Sequence, residues 1–457
     1  MKSSVTRRRF LSTASAAGLG LGLSAFSTPN ARASANGRLR VLSIGTIGTI
    51  GGTDRQTIAG HPAAEITGLC DIDENALARA AEDHPDAFRC KDYRVAFDQH
   101  LDEFDAVIVA VPDHGHATMM LTAMAHDKHV YGQKPLVHQL EELEMIERAL
   151  RAKPNLVTQM GNQRMAGAGR RRALEILRQG RLGKLIEVYA WVDSPSPGNA
   201  YFNYENVLRE LPEAPPHIDW DLWLGPAPEM SFHDALVPMK WRSWWEFGTN
   251  GLGDWGCHLL DILFLAFDEL RSPFSVTTES ERPAGPVFHV SPVKATMKYR
   301  VTSDHFASDV LPIHFYDRGV KPTAEEMRVG EVPEGGNVTV IVGEKGTLAI
   351  DAQGQGNVWT DGEAIDTRRI DGMPEFPPLN HWHAWVDNCL GTPTELHAPF
   401  HLATRMTEAS IIGAKASRFP NQELLWDRSN LTFTNHREAT ETLVRREYRA
   451  GFAPPSF

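Results

Sequence analysis

The first third of the chain alternates apolar runs with segments of helical periodicity. Apolar residues recur with helical spacing at 74–82 and 116–126. Four apolar runs around these segments predict β-strands: RLRVLSIG, AEITGLCDID, DAVIVAVP and KHVYGQKP. Strands that alternate with helices in this way form a parallel sheet that is covered by helices on both faces. We therefore predict an α/β domain of the Rossmann type over residues 36–157.

The pattern changes after about Met160. A helix predicted over 168–179 is followed by strands with turn residues between them: LIEVYAWV, KATMKYRV, DVLPIHFY, NVTVIVG and GTLAIDA. Few helical segments interrupt these strands, which is typical of an antiparallel sheet. A chain of 457 residues is also too long for one compact core. We predict that residues 158–457 form a second domain, of the α+β class, with a large open antiparallel sheet.

The segment IGTIGTIGGTDRQ joins the first predicted strand to the first helix. A dinucleotide-binding turn has the pattern Gly-x-Gly-x-x-Gly, with an acidic residue about 20 positions later that binds the ribose hydroxyls. Asp71 ends the second predicted strand. Counted back from it, the pattern falls on Thr46, Gly48 and Gly51, so its first glycine is displaced by one residue, to Gly45. The alternative is an ordinary glycine-rich turn, but the preceding strand and the later acid favour a dinucleotide site.

These residues also have individual roles in the predicted site. Gly48 lets the backbone approach a pyrophosphate, and Gly51 lets the helix pack closely on the strand. The Asp71 carboxylate would repel a 2′-phosphate. The sequence therefore favours NAD over NADP as the cofactor.

The chain begins with a segment that is typical of an export signal. A basic stretch precedes a weakly apolar run at 14–26, and small residues follow at Ala31, Ala33 and Ala35. The segment TRRRFL at 6–11 resembles the twin-arginine pattern. A membrane anchor is the alternative, but the run is too short and is interrupted by glycines. We predict a twin-arginine signal peptide at 1–35 and a periplasmic protein.

Composition narrows the class of partner. The chain has 58 acidic and 46 basic side chains, and no basic stripe follows the signal segment. This balance argues against a nucleic-acid partner and favours a small molecule. The four cysteines lie far apart without a CxxC pair, so they indicate buried thiols rather than a zinc site or a disulfide framework. No carboxylate cluster accompanies the histidines of PDHGH, and we predict no metal site.

Two segments resemble the family of glucose-fructose oxidoreductase, inositol dehydrogenase and the rhizopine-catabolism proteins (Gfo/Idh/MocA). They are VIVAVPDHGHATMMLTAMAHDKHVYGQKPL at 107–136 and GLGDWGCHLLD at 251–261. The resemblance implies a Rossmann domain followed by a domain with an open antiparallel sheet. It also implies bound NAD or NADP and chemistry on a sugar or polyol. Because family members associate through the sheet face, it implies a homodimer or homotetramer.

The same two segments contain the predicted catalytic residues. Lys134, beside Pro135, would present an ammonium group to the substrate oxygen and stabilise negative charge there. Asp254 and His258 lie four residues apart, hence on one face of a helix. We predict His258 as the base and Asp254 as the residue that orients it. The alternatives are a solvated lysine and an ordinary exposed helix pair.

The resemblance also implies the remaining contacts. We predict that the cofactor is bound by Gly48, Thr49, Ile50, Gly51, Asp71, Val111, Pro112, Asp113, His116, Gln133 and Lys134. Gln133 departs from the family, which most often has glutamate before Lys-Pro. For the substrate we predict Asn162, Gln163, Arg164, Trp241 and Arg242, with Trp244 and Trp245 as further candidates. Polar loop residues and core tryptophans are the alternatives.

Three functions fit these features. The first is a dehydrogenase of a sugar or cyclitol, and the second is a glycosidase or lyase that uses a bound NAD transiently. The third is a nucleotide- or sugar-binding protein without catalytic activity. Free NAD is scarce outside the cytoplasm, so an exported member favours a tightly held cofactor that is regenerated in each cycle.

Overall fold

A computed structural model describes residues 37–192, 213–234, 236–237, 240–280, 283–284 and 294–457. The predicted signal peptide and its arginine pair lie outside the described residues. Among the described residues, none of the helices combines the length and the apolar character that crossing a bilayer requires.

The first sheet has six parallel strands. They are β1 (Leu39–Ile44), β2 (Ala64–Cys70), β3 (Phe88–Cys90), β4 (Ala106–Val109), β5 (His129–Gly132) and β6 (Thr158–Met160), in the order β3-β2-β1-β4-β5-β6. The helices that connect them are α1 (Gly51–Ala59), α2 (Glu74–Asp83), α3 (Tyr93–Gln99), α4 (Asp113–Ala125) and α5 (Leu140–Ala152). This arrangement confirms the predicted Rossmann fold, in which the strand order reverses beside β1.

A second sheet of ten strands follows in the chain. Its strands are β7 (Leu185–Val192), β8 (Ser275–Glu279), β9 (Lys294–Arg300), β10 (Val310–Tyr316), β11 (Asn337–Gly343), β12 (Thr347–Asp351), β13 (Gly356–Thr360), β14 (Glu363–Asp366), β15 (Glu423–Asp427) and β16 (Thr432–Phe433). Their order is β14-β13-β12-β11-β7-β10-β9-β8-β15-β16. The remaining helices are α6 (Ala168–Arg178), α7 (Trp220–Leu224), α8 (Asn250–Ala266), α9 (His381–Cys389), α10 (Phe400–Ala416) and α11 (Arg437–Leu443).

The second sheet is mixed rather than wholly antiparallel. β10 pairs in parallel with β7, whereas the other described pairs of this sheet are antiparallel. Parallel neighbours need a long crossover connection. The segment between these two strands contains α8, which supplies such a crossover. The prediction of a large sheet in the second domain is confirmed, with this one correction to its pairing.

Helix α8 lies between the two halves of the protein. It packs against α10, α6 and strands β7 and β11. Nearly every residue of α8 is buried, which is expected of a helix that is apolar on all sides. One continuous core joins Val109 of the first sheet to Leu252 of α8 and Met297 of the second sheet. This burial holds the polar residues of α8 in fixed positions.

The other face of the second sheet carries large apolar side chains. Tyr189, Trp191 and Val340 belong to a cluster on this face, and Met327 from the loop between β10 and β11 packs into it. Part of this face, which the family resemblance implied as the surface of association, is therefore covered by the chain itself. The predicted oligomer stays a prediction.

Candidate active site

A cavity of about 1080 Å³ opens at the carboxyl ends of the parallel strands. Ligands of doubly wound sheets bind at this edge, where the strand order reverses. The loops after all six strands contribute to its wall, and so do three residues of α8: Asp254, Trp255 and His258. A cavity of this size is large enough for a dinucleotide together with a small substrate.

The loop after β1 forms a cradle with little room for side chains. A Cβ atom at Gly45 would lie 2.2 Å from the Ala110 carbonyl oxygen, and one at Gly51 would lie 2.4 Å from the Gly45 carbonyl oxygen. Gly48 has a φ of +45°, and no atom lies within 4 Å of the position of its missing Cβ. No side chain caps the first turn of α1. The Gly52 N–H donates to the Ile47 carbonyl oxygen at 2.8 Å, whereas the N–H groups of residues 48–51 have no acceptor among the described residues, so the loop fits a pyrophosphate.

The structure explains the displaced glycine. Gly45 makes the tight turn with a φ of +80°. Thr46, at the usual glycine position, donates hydrogen bonds from its backbone N and its Oγ1 to Asp71, at 2.8 and 2.9 Å. Asp71 lines the cavity, and burial raises the pKa of its carboxyl group. The acid at the end of β2 therefore also holds the glycine loop in place, and its contact with a ribose stays a prediction.

Gln133 has a buried partner that accounts for its departure from the family pattern. Its Nε2 donates to Asp54 at 2.8 Å, and the indole nitrogen of Trp382 donates to the other oxygen of Asp54, also at 2.8 Å. Burial raises the pKa of Asp54 to about 7. A glutamate at position 133 would set a second carboxylate against Asp54, so an amide is the better match.

Lys134 and Asp254 form an ion pair at the cavity wall. The Lys134 Nζ donates to Asp254 Oδ1 and, at 2.9 Å, to the Asp254 backbone oxygen. Arg242 Nε lies 3.5 Å from the second carboxylate oxygen. The prediction that Asp254 orients His258 is therefore wrong: the two share a face of α8, but the carboxylate binds Lys134. A lysine ammonium attracts a carboxylate more strongly than a neutral imidazole does.

His258 is held instead by Asn162. The His258 Nδ1 is hydrogen-bonded to Asn162 Oδ1. The Asn162 amide nitrogen donates to the Cys257 carbonyl at 3.0 Å and to Asp261 at 3.2 Å, so its oxygen must face the imidazole. An oxygen acceptor places the proton on Nδ1 and leaves Nε2 with a free lone pair. His258 lines the cavity, and Nε2 has no hydrogen-bond partner among the described residues.

An ion pair lies beneath this histidine. Asp261 binds Arg170, and both side chains have no exposed surface. Arg170 also donates to the His258 backbone oxygen at 2.7 Å. A series of hydrogen bonds thus connects α6 and α8 to the Nδ1 atom of His258. It runs from Arg170 through Asp261 and Asn162 to the histidine.

Electrostatics keep His258 neutral. Burial lowers its pKa well below the usual value, and the nearby Lys134 and Arg164 cations lower it further. A neutral imidazole with a free lone pair can accept a proton, which is what a general base needs.

Comparison with known proteins identifies the family. A sequence model described as the oxidoreductase family with an NAD-binding Rossmann fold, Gfo/Idh/MocA, matches residues 39–160. The model of an oxidoreductase-family C-terminal alpha/beta domain, under the same family name, matches residues 196–300. The chain belongs to the Gfo/Idh/MocA oxidoreductase family.

Relatives of this Gfo/Idh/MocA protein differ in name. A glycosyl hydrolase family 109 protein of Saccharopolyspora erythraea is 27% identical over 270 residues, which cover 54% of this chain and 51% of that protein. The match thus spans about half the length of this curated relative. Solved structures share the fold: the WlbA dehydrogenase from Bordetella pertussis, in complex with NADH and UDP-GlcNAcA, has a TM-score of 0.58 at 16% identity, covering 85% of this chain and 99% of that one. Aldose-aldose oxidoreductase from Caulobacter crescentus, complexed with glycerol, has a TM-score of 0.56 at 14% identity, covering 85% and 100%.

Two of the predicted contacts of this Gfo/Idh/MocA protein need correction. Asn162 has no exposed surface and does not line the cavity, because its amide is used to hold His258. His116 also lies behind the wall, with its two ring nitrogens 2.7 and 2.8 Å from the carbonyl oxygens of Pro135 and Val111. Each of them supports residues of the cavity rather than contacting a ligand.

The other predicted ligand contacts lie at the cavity or directly behind it. Gly51 starts α1 behind the glycine loop, while the remaining predicted cofactor residues line the wall: Gly48, Thr49, Ile50, Asp71, Val111, Pro112, Asp113, Gln133 and Lys134. Four predicted substrate residues also line it: Gln163, Arg164, Trp241 and Arg242. Trp244 and Trp245 are core residues. Their roles with ligands stay predictions.

Asp113 has a distinctive environment within this wall. Thr249, the residue that precedes α8, donates its hydroxyl to Asp113 at 2.7 Å. Burial raises the pKa of Asp113 to about 7. Asp113 is therefore a weaker source of negative charge than an exposed aspartate near neutral pH.

Sequence reasoning missed several residues of the site. Asp261 follows His258 by three positions in the same motif, so helical spacing alone was a usable signal for it. Trp255 also lies within that motif. The residues Arg170, Trp382, Trp223 and Phe232 come from distant segments and carried no local signal.

Proposed function

We propose that this protein is an NAD-dependent oxidoreductase that acts on a secondary hydroxyl of a sugar, glycoside or cyclitol. The observation that carries the proposal is the open Nε2 of neutral His258, which faces the same cavity as the glycine loop and the Lys134–Asp254 pair. A bound NAD supplies the redox chemistry, because its nicotinamide accepts a hydride from carbon.

The residues of the chain provide the proton transfer. His258 Nε2 takes the proton of the substrate hydroxyl, and the Asn162 oxygen stabilises the resulting imidazolium through the proton on Nδ1. Lys134 donates a hydrogen bond to the same substrate oxygen as negative charge develops there. Asp254 holds the lysine ammonium in position. The glycine loop and Asp71 bind the dinucleotide.

The test is to extract nucleotide from the purified protein and then to incubate the protein with a panel of sugars and cyclitols. We expect NAD in the extract and accumulation of NADH with at least one substrate. A protein that binds sugar but never reduces NAD would contradict the proposal and would favour a binding protein.

A redox-neutral glycosidase is the second candidate, and the relative named as a glycosyl hydrolase family 109 protein favours it. Oxidation of one ring hydroxyl to a ketone acidifies the neighbouring C–H, so that the glycosidic group leaves by elimination. Water then adds to the resulting enone, and return of the hydride to the ketone would regenerate NAD and complete the hydrolysis. Incubation with aryl glycosides distinguishes the two: cleavage without net NADH supports the glycosidase, and stable NADH with intact glycoside contradicts it.

Preference for NAD over NADP is part of the proposal. Asp71 supports it, because a carboxylate at the end of β2 accepts ribose hydroxyls and repels a 2′-phosphate. Asp71→Ala should weaken NAD binding and reduce the discrimination against NADP, both measured by titration. Unchanged affinities for the two cofactors would show that Asp71 does not contact the ribose.

We further propose export by the twin-arginine route to the periplasm, supported by the pattern at 6–11. Replacing Arg7 and Arg8 by lysine should retain folded precursor in the cytoplasm, and unimpaired export would contradict this route.

We also propose a homodimer or homotetramer. Light scattering of the purified protein tests it, and a monomer at working concentration would contradict it.

A further inference from the structure

Three cations, Lys134, Arg242 and Arg164, line the catalytic end of the cavity. Lys134 and Arg242 share the single carboxylate of Asp254. Arg164 adds a third cation to the same wall. The other acid in this group is Asp113, which burial keeps largely protonated below neutral pH. Lys134 and Arg242 thus each have a carboxylate within ion-pair distance, and Arg164 does not.

Arg164 is the cation without a carboxylate partner among the described residues, and its guanidinium lies over the Trp255 ring. It makes no ion pair with any described acid, and its Nε is buried without a hydrogen-bond acceptor. The acids nearest to it are already bound. Asp261 is held by Arg170 and Asn162, and Asp351 accepts the backbone N–H groups of Gln353 and Gln355. A half-buried guanidinium in this state has lost part of its hydration, and an anionic ligand would restore it.

We propose that the substrate is an acidic sugar, a uronic acid or uronoside, whose carboxylate binds Arg164. This inference rests on the proposed function in one respect, namely that the ligand of the cavity is a sugar. A planar guanidinium matches a carboxylate with two parallel hydrogen bonds.

The position of Arg164 suits a sugar whose reacting hydroxyl lies at His258. The Trp255 ring contacts both groups: its centroid is 5.7 Å from that of His258, and the Arg164 guanidinium carbon lies over the ring, 5.2 Å from the same centroid. A sugar ring packed beside this indole would have its hydroxyls near the histidine and its carboxylate near the arginine.

The proposed anionic ligand of Arg164 is not the pyrophosphate of the dinucleotide. The glycine loop follows β1, and Arg164 follows β6, which is three strand positions away in the sheet. Three strand spacings amount to about 14 Å. The pyrophosphate site and Arg164 thus lie at separate ends of the cavity.

The test compares hexuronates with the matching hexoses and hexose 6-phosphates in the gluco, galacto and manno series. Binding to the NAD-loaded protein is followed by tryptophan fluorescence, and turnover is measured as NADH release or as cleavage of the aryl glycosides and aryl glucuronides. We expect at least one hexuronate to bind tighter than its hexose. Arg164→Gln should weaken that binding by about 10- to 100-fold, the value of a charge-assisted hydrogen bond, and should weaken hexose binding much less, so that the preference for hexuronates is lost.

Arg89→Gln is the matched control, because it removes an arginine that is exposed on β3. It should leave the preference for hexuronates intact. Equal binding of hexoses and hexuronates, or a preference for the 6-phosphates, would overturn the inference even if the enzyme is active on them. Binding of a hexuronate that depends on Arg164 but leads to no turnover would support the inference and contradict the proposed function instead.

Discussion

The two ends of the cavity are built in different ways. At the dinucleotide end, the glycine loop joins one strand to one helix that are consecutive in the chain, and it offers mainly backbone. The catalytic end brings together side chains from four separate segments, at 133–134, 162–164, 241–242 and 254–261. Backbone fit depends on the absence of side chains at a few glycines. The catalytic geometry depends on a network of buried partners, so the two ends should respond differently to mutation.

The largest effect should come from the base at the catalytic end. His258→Ala should reduce turnover by about 10²–10⁴, the range that positioned proton transfer provides, while NAD binding is unchanged. Turnover and NAD titration on the same preparation measure both. Loss of NAD binding together with turnover would show that the two ends are not separable.

Breaking the buried ion pair should mainly affect stability. Asp261→Asn leaves the Arg170 charge without a counter-ion where neither side chain is exposed. The free energy of unfolding should fall by about 3–5 kcal/mol, measured by denaturant titration. The double variant Arg170→Met/Asp261→Leu removes both charges and should recover most of that loss. A double variant as unstable as the single one would mean that the charge itself is not the cause.

At the dinucleotide end, Gly51→Ala should lower the free energy of unfolding by about 1–3 kcal/mol and weaken NAD binding, because the new Cβ would meet the Gly45 carbonyl at 2.4 Å. Gly52→Ala is the matched control: its nearest atoms lie at 3.8 Å, and alanine favours a helix. Gly52→Ala should therefore be neutral or slightly stabilising. Equal effects of the two variants would refute the close approach of α1 to β1.

The smallest effect should be the coupling between Asp254 and Lys134. Because Asp254 binds Lys134 rather than His258, turnover losses of Asp254→Asn and Lys134→Met should combine with a coupling of about 0.5–3 kcal/mol. The pair Asp254→Asn and His258→Ala should show a smaller coupling. Reversal of these two values would restore the original assignment of Asp254 as the partner of the histidine.

Much of the fold was predictable because its signals are local. The strands and helices of the Rossmann sheet follow from apolar periodicity, and the large second sheet follows from strands separated by turns. The parallel pairing of β7 with β10 was not predictable, because it depends on a crossover of more than a hundred residues. Likewise, the covering of the sheet face by Met327 depends on a loop that local patterns do not place.

In the candidate site, too, the local features were predictable and the long-range contacts were not. Some features of the site depend only on local backbone geometry. The sequence by itself therefore determined where the dinucleotide loop lies, from its glycines and the acid at the end of β2. It also determined that Asp254 and His258, four residues apart on a helix, share a face. Only the tertiary structure decided which partner each side chain has. Asp254 binds Lys134, because the lysine is a cation and the buried imidazole is neutral. His258 is hydrogen-bonded to Asn162 instead. Such choices depend on desolvation and on distances between distant segments, and neither is encoded in local spacing.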